Sequence, residues 1–163
     1  MSVLVRPARA EDIAAMSRVL IASITQLCDE DHHNDPQRID EWTANKSPEG
    51  MAEMLAQDGL FLFVAELDGQ VAAVGATTAK GDIALNYVAP EARFRGVSKA
   101  LLAHLEADLV RRGFAEGKLK ATRTAWKFYQ GQGWSGSSTA QAGRFISCFV
   151  MHKALVPAGG GKG

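Results

Sequence analysis

Residues 86–113 read NYVAPEARFRGVSKALLAHLEADLVRRG, and their pattern decides the fold. A short apolar strand, Ile83 to Val88, runs into Ala89-Pro90. A polar, basic loop follows: Glu91, Ala92, Arg93, Phe94, Arg95, Gly96. Val97, Leu101, Leu105 and Leu109 then recur every four residues, which predicts a helix with one apolar face. Strand, basic glycine loop and amphipathic helix together form a device for holding phosphate. The first N–H groups of a helix have no internal acceptor, and the helix dipole puts partial positive charge there. Gly96 allows close approach of the backbone to a bulky anion. Arg93, Arg95 and Lys99 surround that position with positive charge.

The string Arg93-Phe94-Arg95-Gly96-Val97-Ser98, preceded by Tyr87-Val88-Ala89-Pro90 and followed by Lys99-Ala100-Leu101-Leu102, resembles the signature segment of the GNAT superfamily of acyl-CoA-dependent N-acyltransferases. That family carries Gln/Arg-x-x-Gly-x-Gly/Ala between its fourth strand and third helix. Ser98 departs from the usual Gly or Ala but is small. The resemblance implies that Val88, Arg93, Phe94, Arg95, Gly96, Val97, Ser98 and Lys99 contact the cofactor.

Composition sets outer bounds. The 163 residues suit one domain with a real core. Apolar residues make up 47% and charged residues 22%, which is globular rather than disordered. Formal net charge is zero, against the basic footprint of a nucleic-acid or anionic-membrane binder. No apolar run reaches the length of a membrane span, and MSVLVRPARAED lacks the features of a signal peptide. Cys28 and Cys148 stand far apart, which reads as two buried free thiols in a cytoplasmic protein.

Taken in order, Val3 to Arg6 reads as a first strand stopped by Pro7. Glu11 and Asp12 open a helix through Ile13, Met16, Leu20, Ile24 and Leu27. CDEDHHND (28–35) reads as a polar loop. Asp35-Pro36 and Ser47-Pro48 each read as an N-cap followed by proline at the first helical position. Leu60–Leu67 and Val71–Thr78 form a hairpin about Asp68-Gly69, and Gly81-Asp82 turns into the strand that feeds the basic loop. Lys118–Ala121, Trp134–Thr139 and Phe145–Leu155 read as later strands, with a helix capped by Thr122 or Thr124 between the first two. The expected domain spans 1–156, with a flexible glycine-rich tail at 157–163.

Ala125-Trp126-Lys127-Phe128-Tyr129-Gln130-Gly131-Gln132-Gly133-Trp134 resembles a second GNAT signature, A-x-x-Phe-Tyr-x-x-x-Gly-Phe. Trp134 replaces the usual Phe, and Thr122 or Thr124 stands where the family often has Asn. The resemblance covers about residues 3–155. It implies an α/β (α+β) fold: a central mixed, mostly antiparallel sheet of about seven strands flanked by helices. It implies acetyl-CoA, or another short acyl-CoA, as co-substrate, with Phe128 against it and no metal. Tyr129 matches the family's usual general acid; with a reference pKa near ~10 it keeps its proton at neutral pH. In GNAT proteins a bulge in the fourth strand aims a backbone N–H at the thioester oxygen, and by position that donor is Val88.

The attacking amine must lose a proton, and the family's fourth-strand Glu is missing from IALNYV (83–88). Asp82 lies at that strand's far end. The polar loop offers Glu30, Asp31, His32 and His33 on the acceptor side, with a solvated loop as the competing reading. Trp42 and Trp126 either line the acceptor cleft or pack; Met51 and Met54 read as core. No Cys-His pair suggests an acyl-enzyme. The function expected is acetyl transfer from acetyl-CoA to the primary amine of a small molecule or protein, by direct attack through a tetrahedral intermediate. The alternative is a CoA-binding regulatory module without turnover. Many family members pair, so a homodimer is compatible with the resemblance.

Overall fold

In the computed structural model, residues 2–137 and 139–155 are described. The expected tail at 157–163 lies outside them. The elements are β1 (Val3–Pro7), α1 (Ile13–Leu27), α2 (Asp29–His32), α3 (Pro36–Thr43), α4 (Pro48–Ala56), β2 (Leu60–Leu67), β3 (Gln70–Thr78), β4 (Asp82–Val88), α5 (Val97–Arg111), β5 (Glu116–Ala121), α6 (Trp126–Gly131), β6 (Ser135–Gly136), β7 (Gln141–Ala142) and β8 (Ser147–Ala154). Two of the three predicted side-chain caps act where the sequence places them, while α6 takes Ala125 as its N-cap with no side-chain cap bond. Asp35 accepts from Gln37 N at 3.1 Å and Ser47 from Gly50 N at 3.1 Å.

One mixed sheet, flanked by helices, organises the molecule in the order β1-β2-β3-β4-β5-β8-β6, with β7 also paired to β8. The first four strands are antiparallel neighbours, as the short connections β2–β3 and β3–β4 require, while β1 pairs with β2 across the four intervening helices. β4 and β5 are parallel, joined by the crossover through α5. The sheet has eight strands where about seven are expected. The predicted strand 134–139 shortens to β6, and a separate two-residue β7 follows it. The run SGSSTAQAG (135–143) is small and polar, and offers little side chain to hold a longer ladder. A second difference lies in the predicted loop 28–35, where Asp29–His32 makes a helical turn with three acids at its positive end.

The core is built on the predicted helical stripes. Met16 and Leu20 of α1, and Leu101, Leu105 and Leu109 of α5, are fully buried against Val64, Val74 and Met151. Each such side chain contributes about 1.5–3 kcal/mol. α5 lies so close over β3 that a Cβ on Gly75 would come within 2.9 Å of Leu105 Cδ1. Two ion networks tie the frame. Arg6 bridges Asp12 (2.8 Å) and Glu66 (2.7 Å), joining β1, β2 and the start of α1. Buried Asp108 accepts from Thr77 Oγ1 (2.8 Å), Arg111 (2.7 Å) and Arg112 (2.8 Å). Burial works against its charge, but the Arg112 and Thr77 hydrogen bonds hold the carboxyl below its ordinary range.

Candidate active site

The parallel partners β4 and β5 stay together only briefly. Their ladder is Asp82↔Lys118 and Ile83↔Leu119, and then the strands part. Beyond Ile83, β4 remains paired to β3 alone. A register skip leaves Ala84 as the extra residue between Ile83 and Leu85, so the bulge of this strand falls there. Ala89 N donates to Ala72 O at 2.8 Å. Alternation from that bond turns the N–H groups of Tyr87 and Leu85 to β3, and those of Val88 and Asn86 toward the gap.

The gap opens into a cavity of about 490 Å³. The β4 backbone from Ile83 to Val88 forms one wall and Leu119–Thr122 of β5 and its continuation the other. Arg93, Phe94, Gly96, Ser98 and Lys99 line one end; Phe128 and Tyr129 line the α6 side. Gly96 has φ +79°, and nothing would meet a Cβ within 4 Å, so conformation rather than space asks for glycine. Phe94 is also left-handed at φ 64°, and its ring is 93% exposed. No side chain caps α5, whose first internal bond is Ala100 N to Gly96 O at 3.1 Å. The N–H groups of Val97, Ser98 and Lys99 therefore stand without helical acceptors beside two cationic side chains. These residues fit the pyrophosphate of an acyl-CoA. Of the predicted set, Arg95 is exposed outside this cavity, and Val97 contributes its N–H while its side chain sits in the core.

Tyr129 is 6% exposed, and its hydroxyl accepts a hydrogen bond from Asn86 Nδ2 at 3.1 Å. Burial pushes the phenol up to about 12, with the Asn86 contact opposing. Among the described residues the O–H itself has no acceptor, so its proton is unspent. Asn86 was not anticipated from sequence, although a polar side chain in an apolar strand was the available signal. Asp31, a candidate base by sequence, serves a structural role. It accepts from Arg123 N (2.7 Å), Thr124 N (3.1 Å) and Thr124 Oγ1 (2.5 Å), stapling α2 to the turn before α6. Thr122 Oγ1 in turn accepts from Ala125 N at 3.1 Å, so both candidate threonines shape that turn.

The predicted acceptor-side residues are not brought together. Glu30 and His33 are exposed and line neither cavity. His32 is fully buried, with Nε2 against Ile24 O at 2.8 Å and Nδ1 accepting from Asn34 N at 2.9 Å. Both ring nitrogens are engaged, which makes it a structural histidine. Trp42 is buried and lines a second cavity of about 520 Å³. The two cavities share Ala84, Leu85, Tyr87, Lys120 and Thr122, and so meet across the parted strands. Cys28 and Cys148 are both buried and free; burial, with Asp31 and Asp29 adding, pushes the Cys28 thiol up to about 12. Among the described residues no group of three His, Cys, Asp or Glu side chains could hold a metal ion, and no helix is long and apolar enough to cross a membrane.

The site thus joins a parted mixed sheet to an uncapped helix and a basic loop at its gap. The family model described as an acetyltransferase (GNAT) domain matches residues 17–155. The chain belongs to the GNAT acetyltransferase family and is an acyltransferase. No curated protein matches it significantly. Among solved structures it is similar to a GCN5-related N-acetyltransferase from Rhodopseudomonas palustris, with TM-score 0.83, 24% identity, and coverage of 95% of this chain and 97% of that one. It is also similar to the PaiA N-acetyltransferase from Thermoplasma acidophilum in complex with coenzyme A, with TM-score 0.78, 20% identity, and coverage of 95% and 100%. The YncA protein from Salmonella typhimurium, solved with its cofactor acetyl-CoA, matches with TM-score 0.62, 16% identity, and coverage of 96% and 95%.

Proposed function

We propose that this protein transfers an acetyl group, or another short acyl group, from acyl-CoA to a primary amine by direct attack, with Tyr129 as general acid. The carrying observation is the buried Tyr129 hydroxyl, held by Asn86 and with its proton unspent, at the cavity that also receives the bare N-terminus of α5. The N–H groups of Val97–Lys99, with Arg93 and Lys99, hold the pyrophosphate; Phe94 and Phe128 flank the chain of the cofactor. The N–H groups of Val88 and Asn86 steady the negative charge that develops on the thioester oxygen. The amine nitrogen bonds to the acyl carbon as the carbonyl π bond opens onto oxygen, and collapse of that tetrahedral intermediate re-forms the carbonyl and breaks the carbon–sulfur bond. Tyr129 gives its proton to the departing sulfur and recovers one from the new amide nitrogen.

No carboxylate or imidazole lines the first cavity among the described residues, and the Cys28 thiol keeps its proton. The acceptor therefore enters as the neutral amine. Its own pKa then sets the acid limb of the rate profile. The test is free-thiol release from acetyl-CoA across a panel of amines, wild type beside Tyr129→Phe. Amine-dependent release that falls in the variant supports the reading. Release unchanged in the variant removes Tyr129 as the acid. Tight acetyl-CoA binding without release from any amine or protein acceptor returns the reading to a CoA-binding module.

A further inference from the structure

The second cavity holds a feature that the transfer chemistry does not use. Lys46 closes the 3-10 turn Ala44–Lys46 between α3 and α4, and is only 4% exposed. Ser17 Oγ donates to its carbonyl at 2.6 Å, fixing the turn on α1. Its ammonium lies 3.4 Å from Trp42 O and 2.6 Å from Asn45 Oδ1, both neutral acceptors. Two of its three N–H donors are thus accounted for. Among the described residues no carboxylate comes within ion-pairing distance of it. An unpaired cation in the interior is costly, and natural proteins rarely keep one without a use.

The surroundings raise the positive charge instead of cancelling it. The tip of the β7–β8 hairpin, Gly143–Ile146, covers the cavity. The Phe145 ring lies 5.2 Å from the Lys46 ammonium and 5.1 Å from the Arg144 guanidinium. Lys120 lines the cavity from β5, near the gap. Burial, with the like charge of Arg144 adding, pulls the Lys46 ammonium down to about 8. One acid, Glu53 on the exposed side of α4, also lines the cavity and makes no ion pair with these cations. Volume and walls suit a small molecule: about 520 Å³, with Trp42, Tyr87 and Phe145 supplying apolar surface and the cations supplying orientation.

We infer that the second cavity is the acceptor pocket, and that Lys46 with Arg144 binds a carboxylate carried by the amine acceptor, which is therefore a small amino-acid-like molecule. The inference rests on the proposed acetyl transfer, because the pocket meets the first cavity across the parted strands. The acceptor's carboxylate supplies the counter-ion that the fold withholds from Lys46, and its amine is left to reach the gap beside Ala84, Leu85 and Tyr87. A charge-assisted pair of this kind, made in a desolvated pocket, separates a carboxylate from its uncharged amide by a large factor.

The experiment compares α-amino acids with their carboxamides and with polyamines in wild type, Lys46→Met and Arg144→Gln. Acetyl-CoA binding is measured first. If wild type does not bind it, the proposed transfer fails, and calorimetric titration of the same amino acids still decides the present inference. The expected result is that wild type prefers free amino acids at least tenfold in kcat/KM over their carboxamides, chiefly through KM. In Lys46→Met that preference collapses toward equality, while Arg144→Gln, on an exposed turn, reduces it in part. If Lys46→Met does not fold, the Arg144 variant and the wild-type preference decide. If no panel member is acetylated, amino-acid binding that either variant weakens supports the inference, and absence of binding overturns it. Equal use of acids and carboxamides, or a preference for polyamines, overturns it as well.

Discussion

The two cavities have similar volumes, about 490 and 520 Å³, but their walls are of different kinds. The first sets backbone N–H groups into its walls, at two parted strands, a left-handed glycine and the open end of a helix. The second adds side chains from α3, α4, the Ala44–Lys46 turn and the β7–β8 tip to the edge of β4. Backbone walls tolerate many sequences and serve a constant ligand. Side-chain walls change with each substitution and serve a particular one. The molecule thus divides into a general half and a specific half, meeting at Ala84, Leu85 and Tyr87.

That division makes distinct demands on variants. Tyr129→Phe removes the phenol proton at the gap and should lower kcat by about a hundredfold or more with any amine, with little change in acetyl-CoA binding. A loss confined to some acceptors would place Tyr129 in the specific half. Asp31→Ala leaves the Arg123 and Thr124 N–H groups without their carboxylate. It should cost about 2 kcal/mol of stability, read as a lower denaturant midpoint, and loosen α6. Gly96→Val forces a branched side chain into φ +79°, at a cost of about 1–2 kcal/mol. The KM for acetyl-CoA should rise about tenfold while the ranking of acceptors stays fixed; a changed ranking would break the separation of the halves. The smallest expected effect is an absence. With the Tyr129 phenol pushed up to about 12, its acid form persists as pH rises. At saturating acceptor, where loss of the Lys46 charge near pH 8 acts through KM, kcat should rise as the bound amine deprotonates and show no fall up to pH 10. A fall with a midpoint near pH 10 would give Tyr129 an ordinary phenol's titration.

The legible parts of the sequence were those whose cause is local. Four leucine-type positions at helical spacing, a basic loop and Gly96 announce α5 and its open end. Asp35-Pro36 and Ser47-Pro48 announce two helix starts that the structure contains. What escaped is produced by contacts between distant residues. Asn86 meets Tyr129 across 43 positions, and Asp31 meets Thr124 across 93. His32, read as a loop histidine, is interior because α2 folds back on Ile24 and Trp42. Lys46 carries no signal of its own in the sequence. Its burial depends on a hairpin tip from the far end of the chain, and no periodicity records that.

The Asp31 staple has a kinetic meaning as well as a geometric one. A single carboxylate holds the amide protons of Arg123 and Thr124, which belong to no helix or strand. These two protons exchange with solvent only when α2 lifts away from the turn before α6. Their exchange rates therefore count the openings of the segment that seats Tyr129, separately from global unfolding. Two amide resonances become a clock for how often the acid leaves its post.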